Sequence, residues 1–122
     1  MISFEEFQRL DIRVGTVIKA EVPAWSHWVM KLVVDFGPSF AKTSEGRKTR
    51  NCFSGIMKFF SPKVFVGKQF PFVVNLEPKK IGPEKDFSEV MMVMACPGGD
   101  DNDVAPVLFK LPKKVPNGTR VY

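Results

Sequence analysis

The chain has 122 residues, with 18 basic and 13 acidic side chains, a net charge of +5. Twelve phenylalanines sit beside nine glycines and ten prolines, a balance that permits a real core and excludes a chain disordered throughout. No apolar run approaches the roughly 20 residues of a membrane-spanning helix, and the acidic start MISFEEFQRLD has no signal-peptide pattern. A single soluble, cytoplasmic domain is expected.

Ser3 followed by Glu6 matches a capping box, and residues 3–9 are predicted to form a short helix. Residues 12–22, IRVGTVIKAEV, alternate with period two. Ile12, Val14, Ile18, Ala20 and Val22 form the expected inner face, and Gly15 predicts a bulge or bend. A second strand is expected over 29–36, covered on both sides. Residues 38–48 read as a polar connection, and a third strand runs from Thr49 to about Phe53. Ser61-Pro62 predicts one helical turn closed by Gly67. Strands follow at 69–74, 88–96 and 107–111, and Asn117-Gly118 predicts a turn with positive φ. Five short strands with a helical turn between the third and fourth fit an all-β fold, a five-stranded OB barrel with a C-terminal extension. Periodicity alone also admits a small β-sandwich.

Scarce residues limit the chemistry. His27 stands alone between Trp25 and Trp28, and Cys52 and Cys96 are 44 positions apart. No zinc set can be assembled from them. Both cysteines read as buried, inert thiols. Asp100-Asp101-Asn102-Asp103 lacks the closing Glu of a calcium loop. No nucleophile elbow, phosphate loop or dinucleotide fingerprint occurs. Neither an enzyme nor a cofactor or metal site is expected.

The charge is concentrated. Residues 42–80 hold nine basic and two acidic side chains, +7, and the flanking segments are each −1. In an OB barrel this segment would border the oligonucleotide face. Lysine and arginine interleaved with Phe53, Phe59 and Phe60 suit single-stranded nucleic acid. The same charges also fit a solvated face.

A set of motifs then points to a family. Phe7 with Leu10-Asp11-Ile12-Arg13-Val14-Gly15-Thr16-Val17 opens the match, followed by Val34-Asp35-Phe36-Gly37. It continues through Ser54-Gly55-Ile56, Phe60-Ser61-Pro62 and Val66-Gly67-Lys68, and then along Val73 to Ile81. Ser88-Glu89-Val90-Met91 corresponds to a Ser-x-Gly-Met stretch, with Val90 in place of glycine. Together they resemble the tRNA-binding domain family, in order and over nearly the whole chain. The ending, Leu111-Pro112 to Val115-Pro116-Asn117-Gly118-Thr119-Arg120-Val121, is most similar to its CsaA-like members.

The resemblance implies a free-standing homodimer that binds tRNA and carries a secretion-related chaperone activity on unfolded or preprotein chains. Carried over by motif, Asn75 and Ser88 would hydrogen-bond a nucleotide, and Met91 would pack beneath a base. Charge position adds Arg47, Lys48, Arg50, Lys79 and Lys80 as phosphate contacts. Phe4 and Phe7 on the first helix, with Val121 and Tyr122 at the other end, are the expected dimer interface. The alternative is an export chaperone that binds chains through an apolar cleft bordered by Met91, Met92 and Met94, with RNA secondary.

Overall fold

The computed structural model of the chain describes residues 1–43 and 46–122. Helix α1 spans Phe4–Gln8. Its capping box is complete: the Ser3 hydroxyl oxygen accepts from the Glu6 amide at 3.1 Å, and the Glu6 carboxylate accepts from the Ser3 amide at 3.1 Å.

The barrel is built from β1 (Ile12–Glu21), β2 (Met30–Asp35), β3 (Thr49–Ser54) and β4 (Gln69–Val73), with β7 (Met91–Met92) beyond β4. The strand order is β3-β2-β1-β4-β7, and every pair is antiparallel. The two free edges then meet. The amides of Glu89 and Val90 donate to the Asn51 carbonyl at 2.8 and 3.4 Å, and the Phe53 amide donates to the Ser88 hydroxyl at 3.1 Å. These bonds satisfy the β3 edge and nearly close the sheet on itself, giving an all-β, OB-fold-like barrel.

β1 departs from simple alternation. A register shift between Val17 and Lys19 marks a bulge, after which the faces exchange. The inward side chains are therefore Val17 before the bulge and Ala20 after it, and Ile18, expected inside, is exposed, while Val14, on the opposite face from Val17, is buried as well. Gly15 lies just before the bulge, paired to Phe70 of β4. In β2 one face is fully buried (Met30, Leu32, Val34), and the other is half-buried rather than covered. β4 is buried along its length. These strands surround a core that includes Phe36, Phe65, Phe70 and Phe72.

Three expectations need correction. The polar connection contains helix α2 (Pro38–Thr43). Pro38 occupies the first turn, where its missing N–H costs nothing, and Phe40 packs its ring 5.1 Å from Phe36. Ser44 and Glu45 of that connection lie outside the described residues. The strand expected over 88–96 is broken into the end of β6 (Asp86–Ser88), then β7, then β8 (Met94–Ala95). β8 leaves the barrel to pair with β9 (Val107–Leu108). Cys96, just past β8, is consequently exposed, whereas Cys52 is buried in β3. Burial pushes the Cys52 thiol up to about 12, so it stays protonated and unreactive.

The turn before β4 is a 3-10 helix, Pro62–Val64, and Gly67 closes it at φ +80. At the C-terminus Gly118 has φ +89, and a Cβ there would lie 2.6 Å from the Phe36 carbonyl oxygen. The chain ends in β10 (Arg120–Val121), which pairs with the start of β1, Ile12 opposite Val121.

Candidate nucleic-acid interface

The loop between β1 and β2 is shaped by Ser26. This buried serine donates its amide to the Pro23 carbonyl at 2.9 Å, and its hydroxyl oxygen accepts from the amides of Trp28 (3.2 Å) and Val29 (2.8 Å). The tight turn sets Trp25 and Trp28 at its two ends. Trp25 stacks on Phe53 of β3, with ring centroids 6.4 Å apart and planes 28° apart. It also covers Gly82, where a Cβ would come within 2.5 Å of the indole. Trp28 lies over Gly55, where a Cβ would sit 3.0 Å from the ring, and remains 67% exposed.

The facing wall is a hairpin of β5 (Lys79–Ile81) and β6, with Lys79 opposite Ser88. It is pinned from below. Lys31 donates to the Asp86 carboxylate at 2.6 Å, and the Asn51 side-chain amide donates to it at 3.4 Å. The Lys31 hydrogen bond, foremost, holds the Asp86 carboxyl below its ordinary range. Its stabilising effect is thus present above the usual carboxylate range and fades as the pH falls through the lowered value.

Between these walls lies a groove of about 710 Å³. Trp25, Trp28, Phe53 and Leu76 supply its apolar surface, and Lys79 and Lys80 line it together with Glu77 and Glu89. Such a groove can stack planar rings while cations meet phosphates.

The expected site residues divide. Lys79, Lys80, Ser88 and Met91 all line this groove. Lys79 and Lys80, expected on a loop, stand on β5. The Ser88 hydroxyl already accepts from Phe53, which leaves its own proton to donate. Arg47 and Arg50 converge on Glu89, at 3.1 Å from Arg47 Nη1 and 3.7 Å from Arg50 Nε. Arg50 also donates to the carbonyls of Arg47 and Thr49 and lies over the Phe40 ring at 4.9 Å. Its cation is engaged within the fold. Lys48 is exposed and does not line the groove. Asn75 turns to the N-terminal segment: its amide donates to the Arg9 carbonyl at 2.6 Å and its oxygen accepts from the Asp11 amide at 3.0 Å. That clasp fixes the exit of α1.

Trp25 and Trp28 were not among the expected contacts. Two tryptophans spaced around a capping serine are the local signal for them. Their partners Gly55 and Gly82 are identified only by the fold.

A family model described as "Putative tRNA binding domain" matches residues 12–120. The chain belongs to this tRNA-binding domain family. A methionine–tRNA ligase of Methanothrix thermoacetophila is 39% identical over 119 residues, 97% of this chain and 15% of the ligase. The chain thus corresponds to a small part of that relative. Among solved structures, a MetRS-related protein of Pyrococcus horikoshii superimposes with a TM-score of 0.81 at 33% identity, covering 100% of this chain and 98% of that one. The chaperone CsaA of Bacillus anthracis gives 0.77 at 30% identity, covering 100% and 99%. In this tRNA-binding domain the groove lies where the β1–β2 loop, β3 and the β5–β6 hairpin meet.

Proposed function

We propose that the chain is a non-catalytic tRNA-binding module acting in the cytoplasm as a homodimer. The observation that carries this is a tryptophan-walled groove lined by Lys79 and Lys80 on a chain of the tRNA-binding domain family. Among the described residues no helix is long and apolar enough to cross a membrane. The lysines meet phosphates, Trp28 stacks on an unpaired base, Met91 packs beside it, and Ser88 donates to a sugar or base edge. RNA is then read through loops and exposed bases rather than a duplex groove.

Replacing Trp28 with alanine should weaken tRNA binding about tenfold or more, since a stacked base contributes about 1–3 kcal/mol. Trp28 is largely exposed, so the melting temperature should move little. Filter binding across a salt series measures the first, and circular dichroism the second. Failure of the native protein to retain tRNA at roughly 50–100 mM salt would sink the reading.

A second reading is chaperone binding of unfolded or preprotein chains. The apolar groove and the likeness to the B. anthracis chaperone favour it. If one groove serves both ligands, tRNA will relieve suppression of client aggregation.

For the dimer, α1 has no buried residue, Phe4 is 67% exposed, and Phe4 and Phe7 rings lie 6.5 Å apart. Tyr122 is 78% exposed at the other chain end, which Arg120 ties to α1 by donating to the Gln8 carbonyl at 3.0 Å. Val121 is half-buried in β10. Exposed Val107 and Phe109 form a second apolar set on the extension. Sedimentation should show a dimer at micromolar concentration that Phe4→Asp dissociates. Dissociation by Val107→Asp alone would move the interface to the extension.

A further inference from the structure

Most of the paired cations already face carboxylates: Arg47 and Arg50 meet Glu89, Lys58 meets Asp103, Lys31 meets Asp86 and Arg13 meets Asp11. A different arrangement occurs at the start of β4. Lys68, Lys110 and Lys114 line one cleft of about 380 Å³, and among the described residues no carboxylate lines it. None of the salt bridges among the described residues involves these three.

The cleft is held rigidly. The buried Gln69 joins β4 to the C-terminal extension by side chain and backbone together. Its Nε2 donates to the Val115 carbonyl at 2.7 Å and to Asn117 Oδ1 at 3.0 Å, and its Oε1 accepts from the Val115 amide at 3.0 Å. The Leu111 amide donates to the Gln69 carbonyl at 3.0 Å. Lys68 Nζ donates to the Val64 carbonyl at 3.1 Å. Pro112 and Pro116 limit the backbone between these bonds. Three like charges are thus brought to one concave surface without a counter-ion among the described residues. That arrangement is unfavourable in the free protein and is relieved by an anion.

We propose that this cleft is a second RNA contact, taking the phosphodiester backbone of the same tRNA whose unpaired base enters the tryptophan groove. It rests on the tRNA-binding reading. Gln69 at the cleft begins β4 and Leu76 at the groove follows its end, so the two sites lie at opposite ends of a strand of roughly 13 Å. A ligand confined to the groove leaves the cleft unoccupied, whereas a folded RNA is large enough to engage both. The cleft therefore adds affinity and salt dependence without reading sequence.

The test is Lys110→Ala/Lys114→Ala, two exposed substitutions that leave the Gln69 clamp intact. Affinity for tRNA should fall about tenfold, and the slope of log affinity against log salt should lessen by about 2. The two tryptophans of the chain both line the groove, so their fluorescence change at saturating tRNA should stay as in the native protein. Lys113→Ala removes a neighbouring lysine that does not line the cleft and should leave the slope unchanged. On the native protein, tRNA should protect Lys68, Lys110 and Lys114 from acetylation. An unaltered slope in the double variant overturns the cleft alone. So does an equal per-lysine effect at Lys113, or protection by poly-glutamate but not by tRNA. A native protein that binds no tRNA overturns both the cleft and the reading beneath it.

Discussion

A valine in place of Gly15 is expected to leave no stably folded barrel. A Cβ at this position would lie 2.4 Å from Val34 Cγ1 and 2.8 Å from the Phe36 ring. Both neighbours are fully buried, so neither can swing into solvent. The backbone cannot retreat either, because β1 is bonded to β2 on one side and β4 on the other. Overpacking by even one methyl typically costs about 1–3 kcal/mol. Valine adds three carbons to a fold whose whole stability is expected to be about 5–15 kcal/mol. Gly15→Ala should therefore melt clearly lower but cooperatively, and Gly15→Val should lack a cooperative transition by circular dichroism. A valine variant melting within a few degrees of the native protein would show that the core around Phe36 can rearrange.

Glu89→Gln should separate stability from affinity. The Glu89 side chain is only 11% exposed and receives Arg47, the Asn51 amide at 3.3 Å and, at 3.7 Å, Arg50. Neutralising it removes the carboxylate that both guanidiniums share. Losing a carboxylate from a partly buried pair while keeping its shape should cost about 1–3 kcal/mol, visible as a lower denaturant midpoint. Affinity for tRNA should rise severalfold, with a salt slope steeper by about 1, because Arg47 becomes available and the net charge increases. A fall in affinity at unchanged fold would mean that the carboxylate itself contacts the ligand.

Much of the barrel is legible in the residues, because period-two burial and turn residues act locally. The capping box at Ser3 and Glu6, the four main strands and the Asn117-Gly118 turn are all of this kind. What escaped depends on contacts between distant segments. The bulge after Val17 reverses the inner face of β1, and alternation cannot reveal it. The broken strand near Val90 reflects the bonds that segment makes to Asn51. The site shows the same division. Lys79, Lys80, Ser88 and Met91 are recognisable by charge or motif, and the hairpin gathers them. The engagement of Arg47 and Arg50 by Glu89 joins residues about 40 positions apart, and a count of charge along the chain cannot register it. Likewise, Trp28 and Trp25 acquire their places from Gly55 and Gly82, whose missing side chains make room for the indoles.

The pairing of Ile12 with Val121 bears on how such a domain can be carried by other proteins. The first and last strands leave the barrel side by side, within one strand spacing of about 5 Å. Whether a neighbour is joined upstream or downstream, it is tethered at the same edge. A short linker should be able to join Ile12 to Val121 and let the chain be opened elsewhere, at an exposed turn such as the tip of the β5–β6 hairpin. In mechanical terms the domain is a unit with one attachment point, able to sit at the head, the tail or the interior of a longer chain.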